Sequence, residues 1–291
     1  MNPKTNTIYL DHAASTPLRN EAYEAMLLHL KGNYGNAGSI HHIGRKAFDA
    51  LEHARADVAN TLGVSGNEVI FTGSGTEANN LALMGTARAH GARGKHILVS
   101  AIEHKSVLET AESLHREGFA IEYIKVDAEG KVSVTDVLKR IRPETILISV
   151  MYANNEIGTI EPIAELGDAI KKNHPHNPPL FHTDACQASG QLPINPRDLQ
   201  VDLMTLNSSK VYGPKGVGLL YVREGVELAP LVHGGDQEHG KRGGTENVAG
   251  IVGFATALRL AEEERESASK SLIELRDNFI HAVKERLPQA I

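Results

Sequence analysis

Short apolar runs alternate with longer stretches in which apolar residues recur every three or four positions, and the alternation holds through most of the chain. The short runs predict strands over residues 68–72, 96–100, 121–126, 145–152, 180–183, 203–206 and 217–222. They are apolar at nearly every position rather than at every second one, so they read as buried on both faces. The longer stretches predict helices over 21–31, 43–62, 76–89, 106–116, 135–141 and 163–172, several with Ser, Thr or Pro near the start. Such alternation predicts an α/β fold: a mostly parallel central sheet with helices on both faces. Beyond Val248 the apolar positions Val248, Ile251, Phe254, Ala255 and Leu258, then Leu272, Leu275, Phe279 and Val283, predict one long helix or two. An apolar helical stripe needs a surface to cover it, and no element follows, so the ending reads as a chain cut short. The Pro-rich stretch from Asn173 to Pro179 reads as a surface loop between a helix and a strand.

Composition narrows the function. The chain has 291 residues, 41% hydrophobic and 23% charged, enough for one large core or two smaller ones. A net charge of −6 gives no electrostatic reason to hold a polyanion, which argues against nucleic acid as a direct partner. The single cysteine cannot form an internal disulfide. The start, Met1-Asn2-Pro3-Lys4-Thr5-Asn6, lacks the apolar core of a signal peptide, and no run reaches the roughly 20 apolar residues of a membrane helix. A soluble cytoplasmic protein is expected.

Candidate chemistry gathers at the predicted strand ends. Thr72-Gly73-Ser74-Gly75-Thr76-Glu77 is a strand, a glycine turn and a helix start, which together present backbone N–H groups to a phosphate. The same text fits the dinucleotide pattern G-x-G-x-x-A, and also an ordinary turn capped by Thr76. Asp184 follows an apolar strand directly, where it serves either as an anion beside a ligand or as a helix cap. Lys210, between a strand end and a glycine-rich bend, is placed for Schiff-base chemistry, whereas Lys215 reads as solvated. His104 and the pair Asn154-Asn155 follow two further strands. Singly these are turn formers, but in a parallel sheet all such ends face one side. The histidines His41, His42, His174, His176, His233 and His239 show no metal-ligand spacing, so no metal site is expected.

These motifs together resemble the cysteine desulfurases of the NifS/IscS type, within the class V aminotransferase superfamily of fold-type I pyridoxal-phosphate (PLP) enzymes. The resemblance rests on Leu10-Asp11-His12-Ala13-Ala14-Ser15-Thr16-Pro17, Gly35-Asn36, Gly75-Thr76-Glu77-Ala78-Asn79-Asn80, Glu103-His104-Lys105, Asn154-Asn155-Glu156-Ile157-Gly158, Asp184-Ala185-Cys186-Gln187, Lys210-Val211-Tyr212-Gly213-Pro214-Lys215-Gly216 and Arg242-Gly243-Gly244-Thr245. It spans essentially the whole chain. It implies a fold-type I transferase with an N-terminal segment over residues 1–15, a large PLP-binding domain over 16–250, and over 251–291 the helical start of an incomplete small C-terminal subdomain.

The implied catalytic residues are Lys210, which holds PLP and moves a proton at the substrate α-carbon, and His104, which stacks on the ring. Asp184 would pair with the ring nitrogen, and Asn155 and Gln187 would bond near the phenolic oxygen. Gly75, Thr76 and Ser209 would hold the phosphate, with Thr245 reaching the phosphate of a neighbouring subunit in a homodimer. The implied reaction releases sulfur from L-cysteine as a protein persulfide, leaves L-alanine, and feeds a sulfur-acceptor protein in iron–sulfur cluster assembly or tRNA thiolation. Related class V chemistry, as in a selenocysteine lyase or an aminotransferase, and an inactive PLP-binding scaffold are the alternatives.

Two departures stand out. The family's nucleophilic cysteine and its carboxylate-binding arginine come from a later part of the fold. The family's Ser-Gly-His-Lys reads here as Asn207-Ser208-Ser209-Lys210, which loses a possible positive charge beside the phosphate but keeps a hydroxyl. Cys186 is expected to be a packing residue.

Overall fold

In the computed structural model, which describes residues 8–290, the apolar runs form one seven-stranded sheet. In chain order the strands are β1 (Val69–Thr72), β2 (His96–Ser100), β3 (Ala120–Ile124), β4 (Thr145–Ser149), β5 (Leu180–Asp184), β6 (Leu203–Asn207) and β7 (Gly218–Val222). Their spatial order is β1-β7-β6-β5-β4-β2-β3. All neighbours are parallel except β7, which runs against both β1 and β6. The other six strands therefore point the same way, and their carboxyl ends share one edge.

The expected ends are met to within a few residues. The largest difference is β4. Ladder pairing ends at Ser149, yet Val150 and Tyr152 still donate their N–H groups to the carbonyls of His182 and Asp184. The chain thus runs on beside β5 and delivers Ala153 and Asn155 to the sheet edge. β1 and β2 are far apart in the sheet, so the dinucleotide reading of the Gly73–Ala78 text fails: that unit pairs its first two strands side by side.

Side chains alternate across the sheet and feed two cores. On one face Val69, Phe71, Leu98, Ile148, Phe181, Met204 and Leu219 pack under α1 (Asn20–Lys31), α2 (His42–Leu62), α5 (Val134–Arg140), α6 (Ile163–Asn173) and α7 (Val248–Arg286). On the other, Ile70, Ile97, Val99, Ile146, Leu203 and Leu220 pack under α3 (Gly75–His90) and α4 (Lys105–Arg116). Covering both faces is what the unbroken apolar strands require. At roughly 25 cal/mol per Å², each fully buried Leu, Ile or Phe contributes about 1.5–3 kcal/mol to this arrangement.

The exposed side of β1 is closed by a buried ion pair. Arg55 on α2 donates to both carboxylate oxygens of Glu238 at 2.9 Å and to the carbonyl of Val69, while Phe71 donates its N–H to Glu238. Edge groups that would otherwise be free are satisfied in this way. Beyond Asn247, whose side chain accepts the N–H of Gly250, α7 is one helix of 39 residues. Val248, Ile251, Phe254, Ala255 and Leu258 are buried, whereas Leu272, Leu275 and Phe279 are exposed among the described residues. The expected boundary between residues 250 and 251 falls inside this helix, and core packing continues past it. Residues 1–7 of the expected N-terminal segment, and Ile291, lie outside the described residues. No helix among the described residues is long and apolar enough to cross a membrane.

Candidate active site

A cavity of about 540 Å³ opens at the shared carboxyl edge. It is lined by Gly75, Thr76, His104, Asn155, Asp184, Gln187 and Lys210, residues far apart in the sequence. The topology explains the gathering, because each residue follows a strand of the parallel set. Ser209 and Thr245 are not among the lining residues. Ser209 presents its carbonyl to Thr16, and Thr245 lines a separate small cavity with Gly73 and Arg242. Lys215 is exposed and apart from the site. Among the described residues no group of three or more His, Cys, Asp or Glu side chains is placed to hold a metal ion.

The turn from β1 into α3 fits an anion. Ser74 caps the helix by accepting the Glu77 N–H, and Glu77 reaches back to the Gly73 N–H. The N–H groups of Gly75 and Thr76 make no hydrogen bond among the described residues, and both residues face the cavity at the positive end of a 16-residue helix. Two glycines allow the close packing. A Cβ on Gly218 would lie 2.3 Å from the Ser74 carbonyl carbon, and one on Gly75 would lie 3.0 Å from the Cys186 sulfur. The turn therefore rests directly on β7 and on Cys186, two residues past Asp184.

Asp184 ends β5, 6% exposed, with both carboxylate oxygens engaged. Oδ2 accepts from Asn79 Nδ2 at 2.7 Å, and Oδ1 accepts the Cys186 N–H at 2.9 Å. Asn79, 1% exposed, also donates to Ser106 Oγ at 2.8 Å, and Ser106 Oγ lies 2.7 Å from His104 Nδ1. Behind the site sits Glu103, whose carboxyl accepts the Met151 N–H through one oxygen and has no partner for the other. Burial, and then the nearby Asp184 carboxylate, push Glu103 well above the ordinary carboxylate range. Burial lowers His182 to about 4, so its ring is neutral between the hydroxyls of Ser149 and Thr205. Burial and Asp184 also push the Cys186 thiol well up, the reverse of an activated nucleophile.

Lys210 sits in a 3-10 turn (Ser208–Lys210) after β6. Its ammonium donates to the carbonyls of Ala13 at 2.6 Å and Ala14 at 2.9 Å, and Gln187 Nε2 donates to Ala13 O at 2.7 Å. The N-terminal loop is pinned there by Thr16. Its N–H and its hydroxyl both donate to the Ser209 carbonyl at 2.9 Å, and the hydroxyl accepts the Tyr212 N–H at 2.8 Å. Tyr212 adopts φ +62°, a left-handed conformation unusual for a bulky residue, held at its N–H by this clamp and at its carbonyl by the Arg19 N–H.

Asn79, Ser106, Glu103 and the two alanine carbonyls belong to the site, and the sequence pattern gave none of them a role. Asn79 carried a signal: it lies four residues after Gly75 and so shares its helix face. The carbonyls carried none, being common to every residue.

The arrangement gives an amine and a carboxylate facing one cavity, with an anion-binding helix start beside them. A description of the aminotransferase class V family matches residues 8–287. The chain belongs to that family. A cysteine desulfurase IscS from Dictyoglomus turgidum is 51% identical over 280 residues, covering 96% of this chain and 70% of its own length. Among solved structures, a NifS-like protein matches with a TM-score of 0.92 at 40% identity, covering 96% of this chain and 76% of its own. A structure described as SspA in complex with cysteine matches with a TM-score of 0.84 at 39% identity, over 94% of this chain and 78% of its own. The sheet and its flanking helices are therefore those of the fold-type I class V enzymes, as the sequence motifs implied.

Proposed function

We propose that this chain binds pyridoxal phosphate and works as a cysteine desulfurase, taking sulfur from L-cysteine and leaving L-alanine. The observation that carries the reading is the convergence of Lys210, Asp184 and the free N–H groups of Gly75 and Thr76 on one cavity. The donor set fits the group: an amine for the aldehyde, a carboxylate for the ring nitrogen, and a helix N-terminus for the phosphate. When bound, the cofactor supplies an electron sink for the substrate α-carbon. Lys210 would hold it covalently and would serve as the proton carrier at that carbon. Asp184 holds a proton at the ring nitrogen, His104 covers the ring face, and Asn155 and Gln187 orient its oxygen side. Ser209 supplies a hydroxyl to the phosphate where relatives place a histidine, and Thr245 serves the phosphate of a neighbouring copy in a homodimer. Cys186, deep and protonated, is not the thiol that receives sulfur. The name and the cysteine complex of the matched proteins support the substrate. The setting is a reducing cytoplasm, with a sulfur-acceptor protein of iron–sulfur assembly or tRNA thiolation downstream.

Incubation with pyridoxal phosphate tests the reading. A coloured complex is expected, lost in Lys210→Ala, with borohydride trapping the label on Lys210. L-Cysteine together with a thiol acceptor should then yield alanine and sulfide. A colourless saturated protein, or trapping at another side chain, rejects cofactor binding. Ketoacid-dependent amino transfer without sulfide rejects the desulfurase and favours an aminotransferase.

A further inference from the structure

We propose that Asn79 and Ser106 form a positioning relay that starts at Asp184 and fixes which nitrogen of His104 carries the proton. The reason for wanting that proton placed rests on the cofactor reading above; the relay itself is written in the geometry of the chain. The Asp184 carboxylate can only accept, so the buried Asn79 amide must turn its nitrogen toward it. That orientation leaves Asn79 Oδ1 buried with no partner, so the amide is held by its nitrogen side alone. The second Asn79 N–H donates to Ser106 Oγ at 2.8 Å. With its oxygen already accepting, Ser106 directs its own hydrogen to His104 Nδ1 at 2.7 Å. The Ser106 backbone N–H points to the same ring nitrogen at 3.1 Å.

Two donors converging on Nδ1 require a lone pair there, which puts the ring hydrogen on Nε2. His104 lines the cavity, and its Nε2 makes no hydrogen bond among the described residues. The imidazole thus presents an Nε2–H donor to the site, an assignment handed on from the carboxylate that serves the ring nitrogen of the cofactor. Asn79 and Ser106 touch no reacting atom. They act through His104, as outer partners orient a histidine in other sites.

The tautomer is read directly by nitrogen-15 NMR of labelled histidine in the cofactor-free chain, in mildly alkaline buffer, with His104 assigned through His104→Gln. Wild type should show the Nε2–H form. Ser106→Ala removes one neutral hydrogen bond and should raise the Nδ1–H fraction about two- to tenfold. Ser106→Thr keeps the hydroxyl and should restore the wild-type ratio, which a loss of packing alone would not do. Asn79→Leu should shift the ratio in the same direction as Ser106→Ala, and the serine variants decide the matter if the leucine variant fails to fold. An Nδ1–H ring in wild type, or a ratio unmoved by Ser106→Ala, overturns the relay. A protein that stays colourless with pyridoxal phosphate yet shows this tautomer pattern overturns the cofactor reading and upholds the relay.

Discussion

Glu68 and Glu103 are both buried glutamates, 2% and 5% exposed, at opposite edges of the same sheet, yet their surroundings push them in opposite directions. Glu68 lies at the amino edge. Its carboxylate accepts from the N–H groups of Ser65 and Glu224, from Tyr221 Oη and from Arg197. Burial alone would raise it, but these donors outweigh burial and hold it below the ordinary range. Glu103 lies at the carboxyl edge with one backbone donor and an orphaned oxygen, and there burial prevails. The amino edge repeats the first pattern: Asp202 accepts from the Phe181 N–H and from Arg223. The buried carboxylates on that edge, Glu68 and Asp202, are saturated with donors. On the other edge Gly75, Thr76, Asn79 and Glu103 keep unmet hydrogen-bonding capacity, as expected of a surface built to receive a ligand. One edge is made for stability and the other for binding.

The largest expected effect tests that division at the binding edge. Asp184→Ala should lower alanine release by about 10²–10⁴-fold, the range for losing a group that manages a reacting proton. Its effect on the denaturation midpoint should correspond to only about 1–3 kcal/mol, for the two N–H groups it strands. Glu68→Ala should do the reverse. Stranding several donors should cost roughly 3 kcal/mol of stability, while kcat per folded molecule stays at the wild-type value. Chemical denaturation and steady-state assays on both variants check the pair. Equal losses of activity and stability in either variant would erase the distinction between the edges.

Stability against pH separates the two glutamates by sign. Glu68 has a lowered folded-state pKa, so its contribution is present above 4.5 and is lost as pH falls through the folded value. Glu103 has a raised one, so its contribution is complete below 4.5 and is lost as pH rises through the folded value. Glu103→Gln, which keeps an acceptor for the Met151 N–H, should flatten the decline that sets in as pH rises above 4.5. Glu68→Gln should flatten the acid one. Each flattening is bounded by one proton, about 1.4 kcal/mol per pH unit. Urea midpoints measured across the pH range check it, and a Glu103→Gln curve parallel to wild type everywhere above pH 4.5 would contradict the assignment.

How these edges could be read beforehand differs in kind. Strand positions were legible because burial on both faces leaves unbroken apolar runs, and the parallel set put Asp184, His104, Asn155 and Lys210 on one side by a general rule. The order of strands was not legible: nothing in residues 217–222 announces a strand running antiparallel between β1 and β6. Asn79 showed only that it shares a helix face with Gly75, and Ser106 showed nothing, because both roles depend on which helix face meets Asp184. The Ala13 and Ala14 carbonyls were hidden because backbone groups leave no mark on the sequence. Ser209 and Thr245 were named from resemblance, and their positions outside the cavity lining follow from the turn that aims the Ser209 carbonyl at Thr16 and from the loop that carries Thr245 beside Arg242.

The smallest effect decides what saturates the amino edge. Glu68 meets one full charge, Arg197, but that side chain is 61% exposed and 3.3 Å away, whereas the Ser65 N–H at 2.9 Å is part of the capping box that begins the turn before β1. An exposed guanidinium is well hydrated and mobile, so its pairing is worth less than about 1 kcal/mol and fades with added salt. Backbone donors are fixed by the fold, need no side-chain ordering and are insensitive to salt. Arg197→Ala should therefore cost well under 1 kcal/mol and leave the acid-side slope of stability nearly intact. A loss comparable to that of Glu68→Ala, shrinking in high salt, would show instead that a surface ion pair holds the carboxylate, and the contrast between the two edges would reduce to where the arginines happen to lie.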